Sequence, residues 1–381
     1  MFRILSLDGG GIRGAFGIGL LAEFEDRLGR PVTDYFDLLA GSSTGAITAA
    51  CLCAGKPASA VKDFYDQNAE LIFKRRGPHT PHPLLRPMWP LVSKIFRKRT
   101  GGRFDDLFRA RYCPMALEEA FREGFGEMAM GDLKANRLIV PSVNLTKGRT
   151  VLFRTPHLPE MAGKGDVRVS DVLLAATAAP TYFPHHTLPD GDAYCDGGLW
   201  AVNPSLLAVA EAVKIQQCES GAPMDGAAEP TVSQGVRLAK AYDLSRVQLL
   251  SVGAGMPLYS LSPPGADAGA LYWSRHVADV MGTSQAQGTQ HPLEYTLGER
   301  YRHVNFEIPH SEWSLDGIEH REVMYGLGRL RAREVFDLLE PDFFDSPARF
   351  REGRRYDVTT GEAAAAVPER EQRIDVNASL T

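Results

Sequence analysis

The sequence predicts an α/β fold, with a mostly parallel central sheet flanked by helices. Two observations carry this expectation. An apolar run of strand length, a glycine-rich turn and a helix-patterned segment follow one another at the N-terminus, and the same succession recurs before residue 55. Further short apolar runs then alternate with helix-patterned stretches along the chain.

Arg3 to Leu7 reads as a buried strand, stopped by Asp8 and three glycines. From Ile12 to Leu28, the residues Phe16, Leu20, Leu21, Phe24 and Leu28 fall at helical spacings, and Gly29 is placed to end the helix. Tyr35 to Ala40 reads as a second strand. It is followed by Gly41-Ser42-Ser43-Thr44-Gly45 and a small-residue helix from Ala46 to about Ala54. Strands are expected at Arg137 to Asn144, Thr150 to Arg154, Val247 to Val252 and His303 to Ile308. Helices are expected from Asn203 to Gln217, from Ala270 to Gln285 and from Asp316 to Leu339, with Asn203 as N-cap and Pro204 at the first helical position. No internal repeat is visible.

The composition is that of an ordinary globular chain: 381 residues, 44% hydrophobic and 23% charged. The expectation is one domain over residues 1–345, interrupted by a basic insertion at 74–104, and a flexible charged tail over 346–381. A net charge of −5 argues against binding nucleic-acid polymers. Five cysteines, with Cys51 and Cys53 inside an apolar run, suit a reducing compartment rather than a disulfide framework. No signal peptide and no run of 18 apolar residues is present, so a cytoplasmic protein with at most peripheral membrane contact is expected.

The strongest chemical signal is the G-x-S-x-G at Gly41–Gly45, between an expected strand and an expected helix. Small neighbours let such a turn be sharp, so Ser43 stands exposed at a strand's C-terminal end, with a helix N-terminus behind it. Ser43 is the candidate nucleophile. It needs a base. His276, His291, His303, His310 and His320 all lie downstream, which leaves a Ser-His-Asp triad open. Asp196, in Tyr194-Cys195-Asp196-Gly197-Gly198, is the other candidate, since two following glycines allow close backbone approach. Its carboxylate serves only if burial raises its pKa or if attack and proton transfer are concerted.

Asp8-Gly9-Gly10-Gly11-Ile12-Arg13-Gly14 carries two readings. It contains G-x-G-x-x-G after a strand, the dinucleotide fingerprint, but no acidic residue ends the next strand. Alternatively, the N–H groups of Gly10 and Gly11 form an oxyanion hole beside Ser43. Arg13 would then sit where it opposes the helix dipole, which suits either contact to an anionic ligand or substrate, or an ion pair to Asp8 or another acid.

Asp-Gly-Gly-Gly-Ile-Arg-Gly, Gly-Ser-Ser-Thr-Gly, the small-residue segment Ala175–Pro184 and the late Asp-Gly-Gly together resemble the patatin-like phospholipases, in family order and over residues 3 to about 205. The resemblance implies a three-layer α/β/α fold and a Ser–Asp dyad at Ser43 and Asp196. It also implies an oxyanion hole at Gly9–Gly11, and hydrolysis of acyl esters of membrane glycerophospholipids through an acyl-enzyme, without a cofactor. It further points to bacterial anti-phage effectors switched on by a cyclic dinucleotide.

The basic insertion holds nine cations and no acid between Lys74 and Phe104, interleaved with Leu84, Leu85, Met88, Trp89, Leu91 and Ile95. A short amphipathic helix is expected around Leu91 to Arg97. Lys94, Arg97, Lys98 and Arg99 are the expected contacts to a membrane surface or an anionic regulator, and the segment as a whole is read as a lid.

Overall fold

The computed structural model describes residues 1–77, 86–100, 103–161, 165–219, 244–257, 269–308 and 313–348. His310, Leu84, Leu85 and the tail beyond residue 348 lie outside the described residues, as do the side chains of Arg99 and His276.

β1 (Phe2–Leu7) lies between β2 (Leu38–Gly41) and β7 (Val247–Val252), parallel to both. β3 (Arg137–Asn144) extends the parallel set beyond β2, and β9 (Tyr301–Val304) extends it beyond β7. β4 (Arg149–Arg154), β5 (His186–Thr187) and β6 (Ala193–Asp196) add antiparallel pairings at the β3 end, giving the order β5-β6-β3-β2-β1-β7-β9 with β4 also on β3. β8 (Met256–Pro257) and β10 (Glu307–Ile308) form a separate small sheet.

Alternation along the strands builds two cores, because successive strand side chains point to opposite faces. Leu5, Leu7, Leu39, Val140, Leu250 and Val252 face one layer, made by α1 (Ala15–Leu28), α2 (Thr44–Cys53), α3 (Ala58–Ile72), α5 (Met115–Phe125), α6 (Val169–Thr177) and α9 (Arg321–Leu339). Phe2, Ile4, Leu38, Ala40, Ile139 and Leu249 face the other, covered by α7 (Ser205–Glu219) and α8 (Ala270–Leu297). The fold is therefore a three-layer α/β/α arrangement.

Several expected boundaries move. The second strand begins at Leu38, because Val32–Tyr35 closes into a 3₁₀ turn first. The run His303–Ile308 divides at Asn305 into β9 and β10, which belong to different sheets. α8 continues through Pro292 to Leu297, where Leu293 and Leu297 are buried in the core. The insertion's helix is α4 (Trp89–Thr100), longer than expected at both ends. Three helices, α3, α5 and α6, were not foreseen; α6 is buried along its whole length, so it has no polar face to mark a period. The start of the expected flexible tail is tethered, with Ser346 accepting from Arg3 and the Ala348 N–H donating to Asp34.

Candidate active site

β2 runs straight into α2 through a turn that places Ser43 at φ 50°, ψ −120°, a left-handed backbone that a serine adopts only under constraint. The flanking glycines are required by crowding. A Cβ on Gly41 would lie 2.4 Å from the Gly45 carbonyl oxygen, and one on Gly45 would lie 2.3 Å from that of Leu7. The turn is thus pressed against the end of β1, and it forces the serine outward.

Ser43 Oγ donates a hydrogen bond to Asp196 Oδ2 at 2.7 Å. The register explains the meeting. β2 pairs with Arg137, Leu138 and Ile139 of β3, whereas β6 pairs with Ser142, Val143 and Asn144. β4 occupies the other edge of β3 from Ile139 to Asn144. β2 and β6 therefore share one edge of β3 and run toward each other, so their C-terminal ends converge on the gap at Val140 and Pro141. Pro141 suits that gap. Its carbonyl faces Gly197, where an added Cβ would come within 2.2 Å of it, so the N–H a proline lacks would have pointed at no partner strand.

Asp196 is 5% exposed, and burial pushes its carboxyl up to about 6 from the usual carboxylate range. The Ser43 hydroxyl and the Gly198 N–H, which donates to Oδ1 at 2.7 Å, pull in the other direction. A carboxylate of this pKa bonded to a serine hydroxyl is the arrangement that general-base activation of an alcohol requires.

The glycine loop between β1 and α1 faces the same serine: a Cβ on Gly9 would lie 3.1 Å from Ser43 Cβ. Its donors are not equivalent. Gly9 N–H is taken by the Val202 carbonyl at 2.9 Å, which removes it from the three expected oxyanion donors. Gly10 N–H reaches the Thr44 hydroxyl at a long 3.3 Å, and the N–H groups of Gly11 and Thr44 have no acceptor among the described residues. The Thr44 hydroxyl, which links the loop to the serine turn, was missed although it stands inside the serine motif. Arg13 lines the same cavity and donates from Nε to the Gly10 carbonyl at 3.2 Å.

A cavity of about 970 Å³ opens over Ser43 and Asp196. Next to Ser43 one arm is apolar, lined by Ile47, Phe64, Ala69, Ile72, Phe73 and Leu117 from α2, α3, α5 and the end of α3. Toward the insertion it is mixed, with Phe96 and Leu107 beside Arg103, Asp106, Arg111 and Tyr182. Arg75, Asp106, Arg111, Tyr112 and Asp316 tie the ends of the insertion to the loop before α9, with Tyr112 Oη donating to Asp316 at 2.5 Å. Lys94, Arg97 and Lys98 are exposed on α4 and do not line the cavity.

No histidine side chain among the described residues bonds to Ser43. His303 is half-buried beside Ser251 and Gln290, His320 stacks on Trp313, and His291 faces solvent near Glu294.

The fold and the serine turn place the chain among the α/β acyl hydrolases, and comparison with known proteins makes the class specific. The model of the patatin-like phospholipases matches residues 5–209, and the chain belongs to that family. It is a lipid acyl hydrolase. A cGAMP-activated phospholipase of Vibrio cholerae is 33% identical, over 91% of this chain and 95% of its own. A cGAMP-activated phospholipase of Pseudomonas aeruginosa is 30% identical, over 80% of this chain and 78% of its own. Among solved structures, ExoU of Pseudomonas aeruginosa, in complex with SpcU, aligns over 90% of this chain and 53% of that one, with 15% identity and a TM-score of 0.36.

Proposed function

We propose that the protein hydrolyses acyl esters of membrane glycerophospholipids through a Ser43–Asp196 dyad, and that a cyclic dinucleotide switches it on as part of anti-phage defence. The observation that carries the catalytic reading is the 2.7 Å bond from Ser43 Oγ to a buried carboxylate that lines a large, mostly apolar cavity.

In this reading the acyl chain lies in the apolar arm beside Ile47 and Ala69, and the ester carbonyl sits over Ser43. Asp196 takes the hydroxyl proton as Ser43 Oγ bonds to the carbonyl carbon. The N–H groups of Gly10, Gly11 and Thr44 receive the oxyanion, which in related sites stabilises the transition state by about 3 kcal/mol per donor. The proton passes to the departing lysophospholipid alkoxide, leaving Ser43 acylated. Asp196 then deprotonates a water whose oxygen bonds to the acyl carbon, and the proton returns to Ser43 Oγ as the fatty acid leaves. Arg13, at the cavity wall, suits the phosphate of the headgroup, and the insertion over residues 74–104 acts as the lid. The names of the Vibrio and Pseudomonas relatives support activation by a cyclic dinucleotide.

The test is fatty-acid release from phospholipid vesicles by wild type, Ser43→Ala and Asp196→Ala, with and without a panel of cyclic dinucleotides. Release by wild type alone, and only with nucleotide, is the expected result. Release without nucleotide removes the switch. Equal rates for wild type and Ser43→Ala overturn the dyad.

A further inference from the structure

α4 is anchored on one face and apolar on the other as well. Trp89 packs at a tilt on Phe104 and Phe108, at centroid distances of 4.9 and 5.6 Å, and donates from Nε1 to Asp105 at 3.0 Å; Phe96 packs on Phe104. The opposite face presents Met88, Leu91 and Ile95 to solvent at helical spacing, with Leu91 61% and Ile95 48% exposed. Exposed Lys94, Arg97 and Lys98 are interleaved with them, and α4 contains no acidic residue. A scattered exposed leucine needs no explanation, but an ordered apolar stripe studded with cations does.

A second stripe lies on α8. Trp273, Val277 and Met281 repeat every four residues and are 41 to 46% exposed. One turn further, Gln285 donates to the Leu199 carbonyl at 2.5 Å, which ties this face of α8 to the loop just past Asp196. Both helices reach one opening, α4 through Phe96 on its anchored face and α8 through Val277 and Met281 of its stripe. Leu107 on the insertion side and Leu199, Val277 and Met281 on the α8 side line the cavity that holds Ser43, yet each is exposed. The opening is therefore flanked by one helix with an apolar, partly basic outer face and by another whose exposed apolar stripe carries a tryptophan.

We propose that this mouth is a docking surface for an anionic phospholipid bilayer, with α4 and the N-terminal half of α8 as two lips that enter the headgroup layer together. The proposal rests on the reading of the chain as a hydrolase of membrane lipids, and extends it to how the cavity meets its substrate. Apolar lips remove water from around the opening, so a lipid tail passes from the bilayer to the apolar arm without crossing solvent. Trp273 has the amphipathic ring that favours the headgroup level. Each α4 cation near an anionic surface raises the binding constant about fivefold.

The experiment is sedimentation of the full-length Ser43→Ala protein with vesicles of phosphatidylethanolamine and phosphatidylglycerol, with and without the cyclic dinucleotide panel. Working in the Ser43→Ala background separates docking from turnover. The expected result is a vesicle-bound fraction that falls at least about tenfold in partition on adding Trp273→Glu, and equally on adding Leu91→Glu with Ile95→Glu. Phosphatidylcholine vesicles should bind much less. Trp273→Phe, which keeps an aromatic anchor, should retain binding and serves if the glutamate variant fails to fold. Failure of the Ser43→Ala protein to sediment under any of these conditions overturns the proposal, as does unchanged partition with either lip altered. So does a Trp273→Glu variant that changes only the oligomeric state in light scattering, which would make the face a contact between copies. If lip-dependent binding occurs while wild type releases no fatty acid, the docking surface stands and the catalytic reading falls.

Discussion

Ser43 and Asp196 are 153 residues apart in the chain, and a 2.7 Å hydrogen bond joins them because β2 and β6 end tip to tip on one edge of β3. A parallel strand and an antiparallel strand share that edge, so the C-terminal turn of each delivers its side chain to the same point. Most of the expected behaviour of the protein follows from this junction.

Ser43→Ala and Asp196→Ala should each lower kcat/KM for ester hydrolysis by about 10³-fold or more, and the double variant should be no worse than the poorer single one. Residues that act as one unit are not additive. A double variant whose loss equals the product of the two single losses would show that serine and aspartate act independently.

Since burial holds the Asp196 carboxyl near 6, the base is ionised only above that pH. The value of kcat/KM on a water-soluble ester should rise tenfold per pH unit below about 6 and level off above it. Alanine at His291, His303 or His320 should leave the profile in place. Loss of turnover in any of them would restore the triad.

The same shift sets a stability trend. The folded protein holds the Asp196 proton more tightly than the unfolded chain, whose carboxyl stays near its ordinary 3.8. Stability contributed by this group is complete below that value and is lost as pH rises from about 4 to 6, by up to about 3 kcal/mol. Asp196→Asn should therefore raise Tm at pH 7 by several degrees and by much less at pH 4. Melting curves at the two pH values decide it; a lower Tm at pH 7 contradicts the account.

Gly197→Ala puts a Cβ within 2.2 Å of the Pro141 carbonyl, directly behind Asp196. The turn must shift, so a loss of about 2 kcal/mol of stability and a large fall in kcat are expected. Gly288→Ala, in α8 where an added Cβ meets nothing within 4 Å, should leave both intact. Equal effects at the two sites would mean that the crowding at Pro141 is easily relieved.

Ala69 is buried on α3 and lines the apolar arm of the cavity. Filling the arm with Ala69→Phe should move the preferred acyl chain several carbons shorter, with at least about tenfold discrimination against long chains. A chain-length profile on a homologous ester series checks this. An unchanged profile would place the acyl chain elsewhere.

Much of the site was legible because its signals are local. Gly41 to Gly45 declare a strand-to-helix turn by composition, and the exposed serine follows from the geometry of any such turn. Asp8 to Gly14 declare a second one. Other features were hidden for identifiable reasons. α6 has no polar face, so no period marks it. The expected end of α8 at Gln285 falls short of Pro292, whereas the helix continues past it because Leu293 and Leu297 anchor it in the core. The use of Gly9 N–H by Val202 depends on a segment nearly two hundred residues away, and no spacing reveals it.

What the linear chain settles, then, is chemistry at short range: which serine is forced outward, which aspartate precedes two glycines, and which loop offers backbone donors. These are properties of φ and ψ preferences and neighbouring side chains. Tertiary structure decides which of them meet. Strand register along β3 chooses Asp196 over the downstream histidines as the partner of Ser43, and packing of α3 and α5 makes the apolar arm. The approach of α8 to the loop after Asp196 completes the mouth. Each of these depends on pairing between segments distant in sequence, where the burial of apolar surface and the satisfaction of backbone hydrogen bonds are settled by the whole fold together.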